Sequence, residues 1–244
     1  CDDNSRAILG SMMAIALLSN NSAGLDTWKF VPNLVRAILG NFRLVSRAGF
    51  CQSSVNMDEL NKNGWQHYWN GTYQYDDPHY ESWIWCSFLF TFHTTRYYPM
   101  YERTVIGIGN MMNAFYNGDL HWANGLTQEY SRLVLPLAFL NYVEGGIDAT
   151  HMKWLMDIGN ELKKHEVNGT IEEYYGNLAY GKAKPPQDNP QYGTTEAPME
   201  QENGDPVSDT LYTLPFAIWG LHEACLLTHN ALFCDMLNDL KSYL

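Results

Sequence analysis

No apolar run in this 244-residue chain approaches the ~20 residues needed to span a bilayer; the longest, Ala14 to Leu18 and Leu133 to Leu140, stop far short. No membrane span is expected, and no secretory leader pattern is visible. Charge is also scarce, at 17% of residues, and its balance is acidic: 27 Asp and Glu against 15 Lys and Arg, a net charge of −12. No basic stripe offsets that field, so a phosphate backbone is repelled and nucleic acid is not an expected partner. Strand-type alternation is almost missing. There is no phosphate loop, dinucleotide fingerprint or nucleophile elbow, which leaves nucleotide and acyl-transfer chemistry without support.

Cysteine is sparse. The five, Cys1, Cys51, Cys86, Cys225 and Cys234, are scattered and odd in number, mostly in apolar helical surroundings, and they read as buried free thiols. His222, Cys225 and His229 fall at i, i+3 and i+7, but the first and last stand about two turns apart, ~10 Å along the helix axis, too far to surround one zinc ion. Core packing is the reading there, and no metal or other cofactor is expected. A chain that begins at Cys1 is either a lipoprotein matured at that cysteine or a fragment; Asp2-Asp3-Asn4 stands directly against a helix without a tether, which favours the fragment. Sequons at Asn20, Asn70 and Asn168 do not fix a compartment, and a bacterial periplasmic, cell-surface or secreted setting is preferred to the cytoplasm.

Hydrophobic residues make up 45% of the chain, enough for one sizeable core, so a single domain over residues 1–244 is the simplest reading. Apolar positions recur at helical spacing and predict an all-α fold with helices over 4–19, 27–45, 57–69, 80–96, 100–116, 126–143, 149–165, 206–228 and 230–243. Several links are only a few residues long, which makes neighbouring helices antiparallel hairpins. One segment, residues 176–204, breaks the pattern with Lys184-Pro185-Pro186, Asp188-Asn189-Pro190 and Glu196-Ala197-Pro198; its Tyr180, Tyr192, Glu196, Glu200 and Glu202 favour an ordered functional loop over a linker. Aromatics reach 14%, more than a helical core needs, so some rings are expected to face a ligand.

Chemistry concentrates at helix entrances. In His121-Trp122-Ala123-Asn124-Gly125-Leu126-Thr127-Gln128-Glu129-Tyr130-Ser131-Arg132, a glycine turn feeds a helix on which Glu129 and Arg132 share a face. Two readings stand: an intrahelical ion pair worth only ~0.2–0.5 kcal/mol, or a sugar site in which Trp122 stacks on a ring while Asn124, Gln128, Glu129 and Arg132 bond its hydroxyls. In Glu202-Asn203-Gly204-Asp205-Pro206, followed by Asp209 and Tyr212, Asp205 caps a helix that opens at Pro206. Capping holds Asp205 ionised, suited to base or nucleophile, while that charge raises Asp209 toward general-acid duty. In Asp76-Asp77-Pro78-His79-Tyr80-Glu81-Ser82-Trp83, His79 either bonds a substrate or caps, with Trp83 in the core. Asp2-Asp3-Asn4-Ser5-Arg6 repeats the arrangement, with Asp3 a further substrate-binding candidate.

These residues resemble the (α/α) toroid proteins of carbohydrate metabolism, the six-hairpin glycosidase-like group with its related polysaccharide lyases. The resemblance rests on the Asp2–Arg6 opening, Pro78-His79-Tyr80 before Trp83-Ile84-Trp85, Asn124-Gly125 before Gln128-Glu129, and Glu202 to Pro206 before Asp209-Thr210-Leu211-Tyr212. It implies a ring of helices with a sugar cleft at one end, lined by carboxylates and aromatics. A complete ring takes twelve helices and the sequence holds about nine, so an incomplete ring or part of a longer protein is expected.

The function expected is a glycoside hydrolase acting on an oligosaccharide or polysaccharide fragment. Asp209 is the candidate acid, Asp205 the base or nucleophile and Glu129 the alternate; His79, Trp83, Trp122, Asn124, Gln128, Arg132, Tyr192, Glu196, Glu202, Tyr212 and Asp3 are the substrate-binding candidates. The alternatives are a polysaccharide lyase, with Arg132 neutralising a uronate and His79 or Tyr212 moving the proton, and a non-catalytic glycan-binding or scaffold module.

Overall fold

The computed structural model describes residues 2–19, 27–52, 54–122, 125–172, 199–200, 206–207 and 213–243. Ten α-helices occupy most of these residues, and the strands are four pairs of residues, so the all-α class holds. The helices are α1 (Asp2–Ser19), α2 (Val31–Phe42, entered through a 3₁₀ turn at Thr27–Phe30), α3 (Met57–Asn63), α4 (Trp65–Asn70), α5 (Pro78–Thr95), α6 (Tyr98–Asn117), α7 (Leu126–Val143), α8 (Ala149–Lys163), α9 (Thr213–Thr228) and α10 (Ala231–Tyr243). Antiparallel pairs join β1 (Glu166–Val167) to β2 (Thr170–Ile171) and β3 (Met199–Glu200) to β4 (Pro206–Val207). No helix among the described residues is long and apolar enough to cross a membrane.

Caps and breakers explain most boundaries. Asn56 accepts from the amides of Asp58 and Glu59 at the start of α3, and Asp148 does the same for Thr150 and His151 at α8. The helix expected over 57–69 is two, because Gly64 at φ +70° takes the left-handed conformation that ends a helix. The helix expected to open at Pro206 instead starts at Thr213: Pro206 sits in β4, a position proline tolerates as readily as a first helical turn. Pro215, inside the first turn of α9, is the proline that accompanies the real start.

The chain divides into two compact units, one formed by Cys1–Tyr75 with Trp83–Asn110 and the other by Asp76–Ser82 with Met111–Leu244. In the first, Phe42, Phe50, Trp85, Phe88, Leu89 and Ile108 are buried. The turn at 46–49 is held by three side chains: Trp85 Nε1 donates to Gly49 O at 3.0 Å, Asn110 Nδ2 to Ala48 O at 2.9 Å and Arg103 Nη1 to Ser46 O at 2.5 Å.

In the second unit α7 packs on α8 and α9, α9 on α10, and α10 back on α8, so two hairpins close into a four-helix cluster. Helix α7 is buried nearly all round, with Leu133, Val134, Leu137 and Leu140 inaccessible, which marks it as the central helix of the unit. Glycines allow close approach: a Cβ on Gly220 would lie 2.8 Å from that of Val134, and one on Gly159 2.4 Å from the Phe233 ring.

The expectation of free thiols is corrected at the end of α9. Cys225 and Cys234 form a disulfide across the α9–α10 hairpin, their Cα atoms 4.9 Å apart. Cys51 is also disulfide-bonded, while Cys86 is a buried thiol. Nine residues of sequence separation hid the pairing, because only the hairpin turn brings the two helices face to face. Replacing Cys225 and Cys234 by serine is expected to lower stability by about 2–3 kcal/mol, the chain-entropy value for so short a loop; urea denaturation of the oxidised protein and the double variant measures it.

Candidate functional site

The second unit buries polar groups that a helical core does not require. At the start of α5, Asp77 is 1% exposed and His79 6%, and Glu81 is buried with them. On α7, Gln128, Glu129, Ser131 and Arg132 are buried in succession. Pro78 fixes the first helical φ of α5, and the Asp77 carboxylate caps that turn by accepting from the His79 amide at 3.0 Å. The cap therefore also places an acid in the interior.

Arg132 joins the two helix starts. Its Nη1 reaches the His79 carbonyl at 3.5 Å, and its guanidinium carbon lies 4.0 Å from the centre of the Phe216 ring on α9. The strand of chain before α7 comes in beside them, with the amide of His121 donating to Asp76 O at 2.8 Å. Burial pushes the Asp77 carboxyl above its ordinary range; the charges of His79, Arg132 and His121, and the bond from the His79 amide, restrain the rise without cancelling it. Acid, two imidazoles and a guanidinium thus act on one another electrostatically. Asp76, Tyr80 and His121 are half-buried and form the accessible edge, with the Tyr80 ring 4.9 Å from that of His79.

Two of the four polar entrances, those of α5 and α7, come together here. His79, Gln128, Glu129 and Arg132 are all buried in this unit, and Trp122 is buried with them. Trp83, half-buried on α5, belongs to the other unit, as does Asp3, which is exposed on α1. Asn124, Tyr192, Glu196, Glu202, Asp205, Asp209 and Tyr212 lie outside the described residues. With α9 opening at Thr213, the helix-capping basis for assigning Asp205 and Asp209 their roles does not hold.

Asp77, Glu81 and His121 are not among the residues that the sequence motifs single out. The Asp-Pro pair was the signal for Asp77, since an acid before a helix-opening proline is held in place by backbone amides. Phe216 carried no comparable signal, because a ring in an apolar helix reads as core. No protein-family model, curated protein or solved structure matches the chain.

Proposed function

We propose that the chain is a glycoside hydrolase-like protein of the (α/α) toroid kind, acting on an oligosaccharide or polysaccharide fragment by carboxylate acid/base catalysis. The observation that carries this reading is the convergence of Asp77, His79, His121 and Arg132 at the starts of α5 and α7, with Glu129 buried on α7 one turn before Arg132. Burying an ion costs several kcal/mol even after relaxation, and groups with shifted pKa values gather where chemistry is done. A carboxyl held above its ordinary range keeps its proton closer to neutrality, as a general acid must. Glu129 supplies a second carboxyl, and Asp205 and Asp209 stay candidates for direct contact with the sugar. Tyr80 and His121 offer an aromatic, hydrogen-bonding edge to its ring. The disulfides support an oxidising, extracytoplasmic setting.

The lyase alternative is less well supported, since Arg132 already lies over Phe216 and reaches the His79 carbonyl, a supporting position rather than a uronate clamp. Reducing-end release from a panel of neutral oligosaccharides and polysaccharides tests the proposal. Asp77→Asn and Glu129→Gln, both near-isosteric, are expected to lower the rate ~10²–10⁴-fold if their carboxyls transfer protons. Unchanged rates in folded variants remove both residues from the mechanism; an ultraviolet-absorbing unsaturated product indicates a lyase, and saturable binding without product a binding module.

A further inference from the structure

We infer that the first unit binds an acidic saccharide through Arg43, Arg47 and Arg103, set beside Trp65 and Trp69. The three arginines come from separate stretches of chain: Arg43 follows α2, Arg47 stands in the turn at 46–49 and Arg103 is on α6. The rings belong to α4, where Trp65 and Trp69 are one turn apart with their centres separated by 6.2 Å. The Arg43 guanidinium carbon lies 5.3 Å from the centre of the Trp65 ring, and that of Arg103 4.1 Å from the centre of the Trp69 ring. A guanidinium stacked on a ring keeps its N–H groups in its own plane, where they can hold a carboxylate or sulfate in a two-pronged grip. Arg47, whose Nη2 reaches Asn70 Oδ1 at 3.5 Å and whose charge acts on Arg103, adds a third cation at the end of α4.

These donors outnumber the acceptors that the fold gives them. Among the described residues the Arg43 guanidinium has no hydrogen-bond partner, that of Arg103 bonds only Ser46 O, and no carboxylate lies within ion-pair distance of any of the three. Glu102, beside Arg103 in sequence, only partly offsets the burial and the Arg47 charge that lower the Arg103 pKa, while Glu59 on α3 acts on the Tyr68 hydroxyl. Holding like charges together costs free energy that a bound anion offsets. Arg43 and Arg103 lie over different rings, so they do not converge on one small ion; charges repeated along a chain suit them. An acidic polysaccharide offers such charges together with ring faces for the tryptophan edges. A nucleic acid also repeats its charge, but the disulfides belong to an oxidising compartment outside the cytoplasm. The choice of a saccharide rests on the hydrolase reading proposed above.

Isothermal titration of the whole chain with polygalacturonate, dextran sulfate, uncharged dextran and polyuridylate tests this. Binding to at least one acidic glycan is expected, weakening as salt rises, with none to dextran; which of the two binds tells carboxylate from sulfate. Arg43→Gln/Arg47→Gln should lower the affinity roughly tenfold and, both side chains being exposed, keep the wild-type circular dichroism and melting. Lys153→Gln/Lys164→Gln removes the same charge from the second unit and should bind like wild type. No binding to either acidic glycan, equal binding to dextran, tighter binding to polyuridylate, full binding by the folded arginine variant, or an equal loss in the lysine variant overturns the inference. Its failure is separable from that of the hydrolase reading: binding needs no turnover, and release of reducing ends from neutral glycans needs no acidic one.

Discussion

Replacing Gly107 by alanine is expected to cost about 3–5 kcal/mol, combining overpacking with the strain or loss of a buried hydrogen bond. The new Cβ would stand 2.4 Å from the Gly49 carbonyl oxygen and 2.9 Å from the Trp85 ring. Neither neighbour can give easily. The Gly49 oxygen is the acceptor for the Trp85 indole, and Gly49 itself, at φ +85°, would place a Cβ 2.3 Å from the Gly107 amide nitrogen. Backbone meets backbone there, and any shift loosens the turn at 46–49. Since whole domains are stable by only ~5–15 kcal/mol, such a loss should lower the denaturation midpoint steeply. Gly10→Ala in α1 is the control: no atom lies within 4 Å of its new Cβ, so helix propensity should leave it about 0.5–1 kcal/mol more stable. Comparable effects at both sites would refute the steric account.

Arg132→Met is expected to destabilise by about 3–5 kcal/mol at neutral pH, through the buried acid it leaves under-compensated. Methionine preserves an unbranched contact with Phe216, so charge rather than volume is what changes. The pH dependence separates the two. Because the Asp77 pKa is raised on folding, its favourable contribution is complete below the ordinary carboxylate range and is lost as pH rises through the raised value. Arg132 is one of the charges restraining that rise. Without it the loss should extend to higher pH, so the gap between wild type and variant should be small at ~pH 4 and widest at ~pH 8. Denaturant titrations at both pH values measure it, and a gap independent of pH would assign the effect to packing.

Helices were legible where periodicity and punctuation agreed. Residues 126–143 could be bounded from sequence because Gly125 precedes and Gly145-Gly146 follow an unbroken apolar pattern. Residues 57–69 could not, because a single glycine in a helical run is often tolerated, and only its backbone conformation decides whether the helix ends. The Asp205-Pro206 signal misled because proline at a helix start and at a strand edge look alike in sequence. At the site, His79 and Arg132 stand at helix entrances that the fold unites, whereas Asp77 stands in the same entrance without a sequence sign of its burial. Capping and burial act together on Asp77, and burial belongs to the tertiary structure. The pairing of the distant segments at Gly49 and Gly107 left no local trace.

The chain visits the second unit for Asp76–Ser82, leaves it, and returns only at Met111. Asp77 and His79 are therefore donated by a short excursion whose partner on α7 is 53 residues further on. During synthesis these groups emerge well before Arg132, and closing that distance is an entropic step the local helices cannot prepay. Neither unit is made of one uninterrupted stretch of polypeptide. Severing the chain between residues 82 and 111 would leave the cluster's acid and its guanidinium on separate pieces.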